Sequence, residues 1–368
     1  MKIHYNQIKH QILDVKENRQ TDCFNWGLDN LYPNTLEYLV NASVTAKNAI
    51  DKSSKAIFGK GVKSGHQIVN KKGQSLNDVI RTASREYVKH NNAFIWVAYN
   101  LLGEVSEIEI VPSKNVRVGK RDDKDYSGKY LIYSNWDGAQ GRIDRNAIKT
   151  VDRFNLNEEI IQSQIEKAGG INKYNGQLLH LQKYQNEIYS LADADCVIND
   201  MVSEIQASEF RQKGSTDGFL NTKLLVTKPF NSPEDKNIFL NNLDAVRGSK
   251  NANSVILLES PDASSDLNEQ INLQDLTSEH NDALFEYSEK QTEKNIAKAF
   301  NVPLALINPS DSGIFGNSGE MYKTVKSIMW EEREEERMKF EEAFTQIMTH
   351  YKNPIEGRLD LINNQNAK

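Results

Sequence analysis

The chain has 368 residues, 38% of them hydrophobic, and a formal net charge of −6 from 45 Lys plus Arg against 51 Asp plus Glu. This length allows two or three domains with a sizeable core, while the acidic balance excludes a surface that grips nucleic acid all over. Cys23 and Cys196 stand far apart, which excludes a disulfide framework or a cysteine metal site and predicts two free thiols in a reducing compartment. The first twenty residues, MKIHYNQIKHQILDVKENRQ, lack the apolar region of a signal peptide, and no run approaches the roughly 18 apolar residues of a membrane span. A soluble protein that starts in the cytoplasm is expected.

Residues 1–25 are polar and read as an arm. Leu31 to Phe58 reads as helix, with Leu36, Leu39, Val40, Val44, Ala49 and Ile57 near helical spacing, closed by Gly59 and Gly61. A second helix over Ser75 to Lys89 places Leu76, Val79, Ile80, Ala83 and Tyr87 on one face. The period then changes to two. AFIWVAYN (93–100), EVSEIEIVP (104–112), NVRVG (115–119) and YLIYSNW (130–136) are β-rich runs between Gly, Pro, Asn and Asp turns, an antiparallel signature with a hairpin at Leu101-Leu102-Gly103. QLLHLQKYQNEIYSL (177–191) is expected to add two more strands. Together these predict an α+β domain over 26–192.

The second half has a different pattern. Asp193 to Gln212 reads as helix with a narrow stripe of Val197, Ile198, Met201, Val202 and Ile205. A small βαβ unit follows: strand 219–226, helix 233–247 and strand 254–259. Ser232 is placed to cap that helix, with Pro233 at its first position and Glu234 and Asp235 at the positive end of its dipole. Long helices are predicted from about Ser278 to Phe300 and from about Ser318 to Tyr351, with Asn317 and Glu320 spaced as in a capping box. The narrow apolar stripes predict that these helices complete their packing against other copies of the chain.

Catalytic and metal patterns are sparse. The seven histidines, at 4, 10, 66, 90, 180, 280 and 350, form no HExxH, and His180 within LLHLQ reads as a strand residue. FGKGVKSG (58–65) has the glycines of a phosphate loop but neither the Gly-Lys-Ser/Thr ending nor a preceding strand, so it reads as a glycine helix stop. GNSG (316–319) is similar to the GxSG around a nucleophilic serine, which would make Ser318 the nucleophile of a hydrolase. A nucleophile elbow joins a strand to a helix, however, whereas Ser318 follows a polar loop where a cap is expected. In WEEREEERMKFEE (330–342) seven Glu face two Arg and one Lys. The plain reading is a solvated helix face, but Glu332 and Glu336 fall on the stripe interpolated between Met321, Val325, Ile328, Met329 and Phe340, Phe344, Ile347, Tyr351. That stretch is therefore expected to leave its core and line a water-filled space.

WGLDNLYPNTLEYLVNAS (26–43), KAIFGKGV (55–62), KHNNAFIWVAYNLLGEVSEIEIVPSKNVRV (89–118), FLNTKLLV with the capped helix and GSKNANSVILLE (248–259), and IAKAFNVPLALI (296–307) before SGIFGNSGEMY (312–322) occur in one order. In that order the chain, over about 25–350, resembles the portal proteins of tailed bacteriophages. Two departures stand out: Asn253-Ser254 replaces the Gly-Lys of the family's clip turn, and only KNPIEGRLDLINNQNAK follows the last helix, where the family commonly carries a helical crown.

The resemblance implies a portal fold: α+β wing over 26–192, stem helices at 193–217 and 263–305, clip at 218–262, tunnel loop at 306–318, long wing helix at 319–352 and a tail at 353–368 in place of the crown. It further implies a ring of about twelve copies at one capsid vertex, which passes double-stranded DNA, starts procapsid assembly, and meets the large terminase, the major capsid and scaffolding proteins and a head-completion adaptor. No cofactor, metal, catalytic residue or membrane contact is implied. The expected DNA contacts are the loop residues Ser312, Gly313, Ile314, Phe315, Gly316 and Asn317, with Lys323 and Lys326 behind them. Glu332 and Glu336 are expected on the lumen, where they repel phosphate. Lys223, Lys228, Lys236, Arg247 and Lys250 are expected on the clip's docking face, among Glu234, Asp235 and Asp244. Two other classes predict different behaviour: a cytosolic scaffold shares the assembly but not the tunnel, and a Ser318 hydrolase is a monomer or dimer that loses activity on Ser318→Ala.

Overall fold

The computed structural model describes residues 15–18, 21–122, 127–137, 143–184, 188–217, 223–227, 232–245, 271–275, 282–308 and 319–362. The chain divides into two units, one of residues 1–202 with 293–368 and the other of residues 203–292.

The larger unit is a mixed α+β fold. After the short strands β1 (Glu17–Asn18) and β2 (Cys23–Phe24) come α1 (Tyr32–Ala42), α2 (Val44–Phe58) and α3 (Leu76–His90). The predicted helix 31–58 is thus two. Ser43, with no proline or glycine near it, takes an extended conformation (φ −84°, ψ 118°) and its hydroxyl accepts from the Ala46 amide at 3.0 Å, capping α2. Gly59 ends α2 at φ 59°, the helix stop the sequence predicts. α3 starts in a full capping box, Ser75 and Asp78 each satisfying the other's backbone amide, and ends at Asn91 in the left-handed conformation.

A six-stranded sheet follows, in the order β4-β3-β8-β7-β6-β5, from β3 (Asn92–Tyr99), β4 (Val105–Val111), β5 (Val116–Val118), β6 (Lys129–Ile132), β7 (Lys149–Arg153) and β8 (Gln177–Gln182). All neighbours are antiparallel except β7 and β8. The helix α4 (Glu158–Ala168) lies between those two in sequence, since a parallel pair needs a crossover. Among its described residues, stretch 177–191 supplies one strand where two are expected: residues 188–191 are buried or half-buried without strand pairing, and Tyr189 enters the core.

That core is aromatic. Trp26 stacks on Tyr189 at 4.3 Å and 6°, and meets Phe94 edge-on at 6.1 Å. Arg117 is fully buried between Trp26 and Trp136, and its guanidinium donates to the Asn30 side chain and to the carbonyls of Asn30, Lys114 and Val116. The end of the chain completes this interior, with Phe340 edge-on to Tyr87 at 5.4 Å, and Phe344 and Ile347 buried. The Val105 amide donates to the His350 carbonyl at 2.8 Å, and the Lys352 amide returns a bond to Val105.

Residues 193–197 form a 3₁₀ turn ahead of α5 (Ile198–Asp217), which leads into the smaller unit. There β9 (Lys223–Thr227) pairs antiparallel with β10 (Ile271–Asp275), Lys223 opposite Asp275. α6 (Pro233–Ala245) lies between them in sequence, and Ser232 accepts from the Asp235 amide at 3.1 Å as its cap. The expected second strand, 254–259, lies outside the described residues. Within the segment 263–305, expected as a stem helix, the described residues 271–275 are a strand, in which Ile271 and Leu273 alternate with Asn272 and Gln274, a period of two. Its helix α7 spans Asp282–Ala299, followed by the short α8 (Leu304–Ile307). Arg211 of α5 and Glu289 of α7 form an ion pair within this unit.

Candidate functional site

The last long helix is two helices, α9 (Gly319–Glu332) and α10 (Glu334–Thr349), separated at Arg333. α9 is sparsely covered. Among its residues 320–332 Met329 alone is buried, while Met321 and Ile328 are each 46% exposed. An amphipathic helix with its apolar side open has packing still to complete.

Lys323 and Lys326 are exposed on α9, and Lys326 holds its ammonium 4.8 Å from the centre of the Tyr322 ring one turn earlier. The remaining expected DNA contacts, Ser312, Gly313, Ile314, Phe315, Gly316 and Asn317, lie outside the described residues, as does Ser318. At the expected docking face Lys236 is exposed on the first turn of α6 and Lys223 opens β9. Lys228, Arg247 and Lys250 lie outside the described residues.

The acidic stretch departs from expectation in one respect. Glu332 is exposed, but Glu336 is only 13% exposed and bonds Arg333 at 2.9 Å, so it faces the interior of its own chain. The buried stripe through this stretch runs Met329, Arg333, Arg337, Phe340, Phe344. Two arginines carry it where the sequence suggests glutamates, because a long cationic side chain reaches buried carbonyls that a carboxylate would repel.

Arg333 donates to the main-chain carbonyl of Phe300, just past the end of α7, and to the Ser53 hydroxyl of α2 at 3.3 Å. Ser53 donates to the same Phe300 carbonyl at 3.3 Å. Arg337 lies 3.7 Å over the Trp330 indole and donates to the Trp330 carbonyl, and burial lowers its pKa. The Trp330 ring fills the space beside Gly59, where an added Cβ would stand 2.7 Å from it. One joint thus ties together α2, the end of α7 and the α9–α10 break. Sequence reading missed it because Arg in a Glu-rich run reads as surface charge; the signal was the spacing of four, four, three and four from Met329 to Phe344.

Among the described residues no cluster of three or more His, Cys, Asp or Glu is placed to hold a metal ion. Cys23 is buried and Cys196 exposed, both as free thiols. His180 is a half-buried strand residue whose Nε2 lies 2.9 Å from the Asn92 Oδ1, with its ring on Phe94. No helix among the described residues is long and apolar enough to cross a membrane.

No family model matches the chain, and no curated protein matches it. Solved structures do. A chain in the neck of the native GTA particle, computed with twelvefold cyclic symmetry, aligns at a TM-score of 0.54 and 13% identity over 89% of this chain and 83% of that one. A chain of the native gene transfer agent virion aligns at 0.53 and 12% identity, over 88% and 82%. These alignments show a shared fold along nearly the whole chain. An HK97-family phage portal protein from Corynebacterium diphtheriae aligns at 0.38 and 10% identity over 74% and 78%, a level that does not establish a common fold.

Proposed function

We propose that the chain is a portal subunit, one copy in a ring at a single capsid vertex through which double-stranded DNA enters and leaves. The observation that carries this reading is the fold shared with a chain from a particle neck of twelvefold symmetry, over 89% of the length. The open apolar side of α9 supports it, because a neighbouring copy would cover Met321 and Ile328.

The physical task is to let a duplex slide without sticking. Each Lys or Arg that neutralises a phosphate adds affinity and salt dependence, so a lumen dense in cations would hold the strand still. An acidic chain repeated around a bore, with Glu332, Lys323 and Lys326 exposed, gives few and weak points of contact. The ring itself hydrolyses nothing; the large terminase supplies the work. The smaller unit, with Lys236 exposed among Glu234 and Asp235 on α6, is the docking face for that motor and later for a head-completion adaptor, chosen by charge pattern. Assembly initiation with capsid and scaffolding proteins follows from the same place at the vertex.

Negative-stain microscopy of the purified full chain tests the reading. The expected image is a ring with a central hole and roughly twelve subunits. A monodisperse monomer at high concentration rejects it.

A further inference from the structure

The break between α9 and α10 has no local cause. Helices are broken by proline, by glycine or by a group inserted into the ladder, yet Trp330 to Lys339 contain no proline and no glycine. Glu, Arg, Met and Lys, which fill this run, are among the better helix formers. Even so, Arg333 leaves helical geometry at φ −99°, ψ 15°, with no side-chain cap.

The cause is tertiary. The Arg333 guanidinium is held by the Phe300 carbonyl, the Ser53 hydroxyl and Glu336, while Arg337 takes up the Trp330 carbonyl, which an unbroken helix would give to the Glu334 amide. Like charges act in the same direction: one continuous helix would set Glu331 beside Glu335 and Glu332 beside Glu336 at the spacing of one turn. In the broken form Glu335 pairs with Lys339 at 2.9 Å, and Glu336 with Arg333.

We propose that Arg333 is the latch of a two-state joint. With its guanidinium on Phe300 and Ser53, α9 and α10 are separate helices; with the latch released, residues 319–349 form one helix and α9 is re-aimed together with Lys323 and Lys326. The joint is a property of this chain and stands or falls apart from the ring reading, although in a ring it would set how α9 faces the bore.

Hydrogen exchange on the assembled full chain, followed by mass spectrometry of peptides over 330–338, tests it. A helix that starts at Glu334 leaves the amides of Glu334, Glu335 and Glu336 outside the intrahelical ladder, so they exchange quickly in the native protein. Arg333→Met keeps the length and removes the latch. It is expected to slow those amides by about tenfold or more while α3 peptides are unchanged. Unchanged or faster exchange at 334–336 overturns the proposal. If Arg333→Met does not fold, Ser53→Ala decides: it removes one acceptor and keeps the charge, and slowing of about threefold is expected. Unchanged or faster exchange in that variant also overturns the proposal. Ring images are recorded on the same samples, so loss of the ring is read separately from loss of the joint.

Discussion

The Tyr189 ring lies flat against the Trp26 indole, and its hydroxyl joins two strands, accepting from the Val118 amide and donating to the Phe24 carbonyl, both at 2.8 Å. One side chain therefore supplies both the packing and the polar closure where β2, β5 and α1 converge. Tyr189→Phe keeps the stack but leaves a buried amide and a buried carbonyl without partners, and is expected to cost about 1–3 kcal/mol. Tyr189→Ala removes the ring as well and is expected to cost about 3–5 kcal/mol. Urea unfolding of the two variants checks the order; equal losses would mean that the ring contributes nothing beyond its hydroxyl, and an unchanged Tyr189→Phe that the hydroxyl contributes nothing.

Gly59 is a position where an added methyl group has nowhere to go. Its φ is +59°, and an added Cβ would stand 2.3 Å from the Ile362 carbonyl oxygen and 2.7 Å from the Trp330 ring. Gly59→Ala is expected to destabilise by at least about 1–2 kcal/mol from backbone conformation alone, with the clash in addition. Thermal unfolding beside Gly73→Ala, where φ is also positive but the space is open, separates strain from clash.

Stability should fall on the acid side. Burial lowers the pKa of His180 to about 3 and of His90 to about 4, the latter in spite of the neighbouring Glu86. Both values lie below the ordinary 6.5, so the unfolded chain takes up these protons first, and stability is lost as pH falls from about 6.5 toward 4. The slope from each histidine approaches about 1.4 kcal/mol per pH unit. Glu86 adds to the loss further down: burial raises its pKa, but His90, Lys89 and the Ser113 amide outweigh that and hold it at about 2, so its contribution disappears as pH falls from the ordinary 4.5 toward 2. Urea midpoints between pH 7 and 5 should decline, and His180→Gln should flatten the decline by about half. A flat profile in the native protein contradicts the burial assigned to both rings.

If Lys323 and Lys326 meet DNA, their removal must show in salt dependence. Lys323→Ala with Lys326→Ala is expected to weaken binding of a random duplex uniformly and to make the plot of log affinity against log salt less steep, by about one unit for each phosphate no longer neutralised. Fluorescence anisotropy at several salt concentrations reads the slope. An unchanged slope rejects the interaction whatever the ring looks like.

Much of the larger unit was legible because its signals are local. The helix from Ser75, the glycine stop at 59 and the alternation in 93–111 each follow from neighbours in sequence, and each is found. β7 and α4 were not legible: β7 buries only Val151 and α4 only Ile161, so neither shows an apolar period. The break at Arg333 stayed hidden for a different reason, since what sets it apart is a carbonyl 33 positions away and a serine 280 positions away. Glu336 was expected on the lumen with Glu332, but its arginine partner draws it in.

The larger unit is discontinuous in sequence, and this has a consequence for how it is made. Translation at about 5–20 residues per second delivers the sheet and first four helices, then residues 203–292, and only then Phe340, Phe344 and Ile347. For several seconds on each ribosome, the sheet and Tyr87 wait with their oily side uncovered. Nascent chains stalled before position 340 should therefore cling to chaperones, and those stalled beyond 352 should let go.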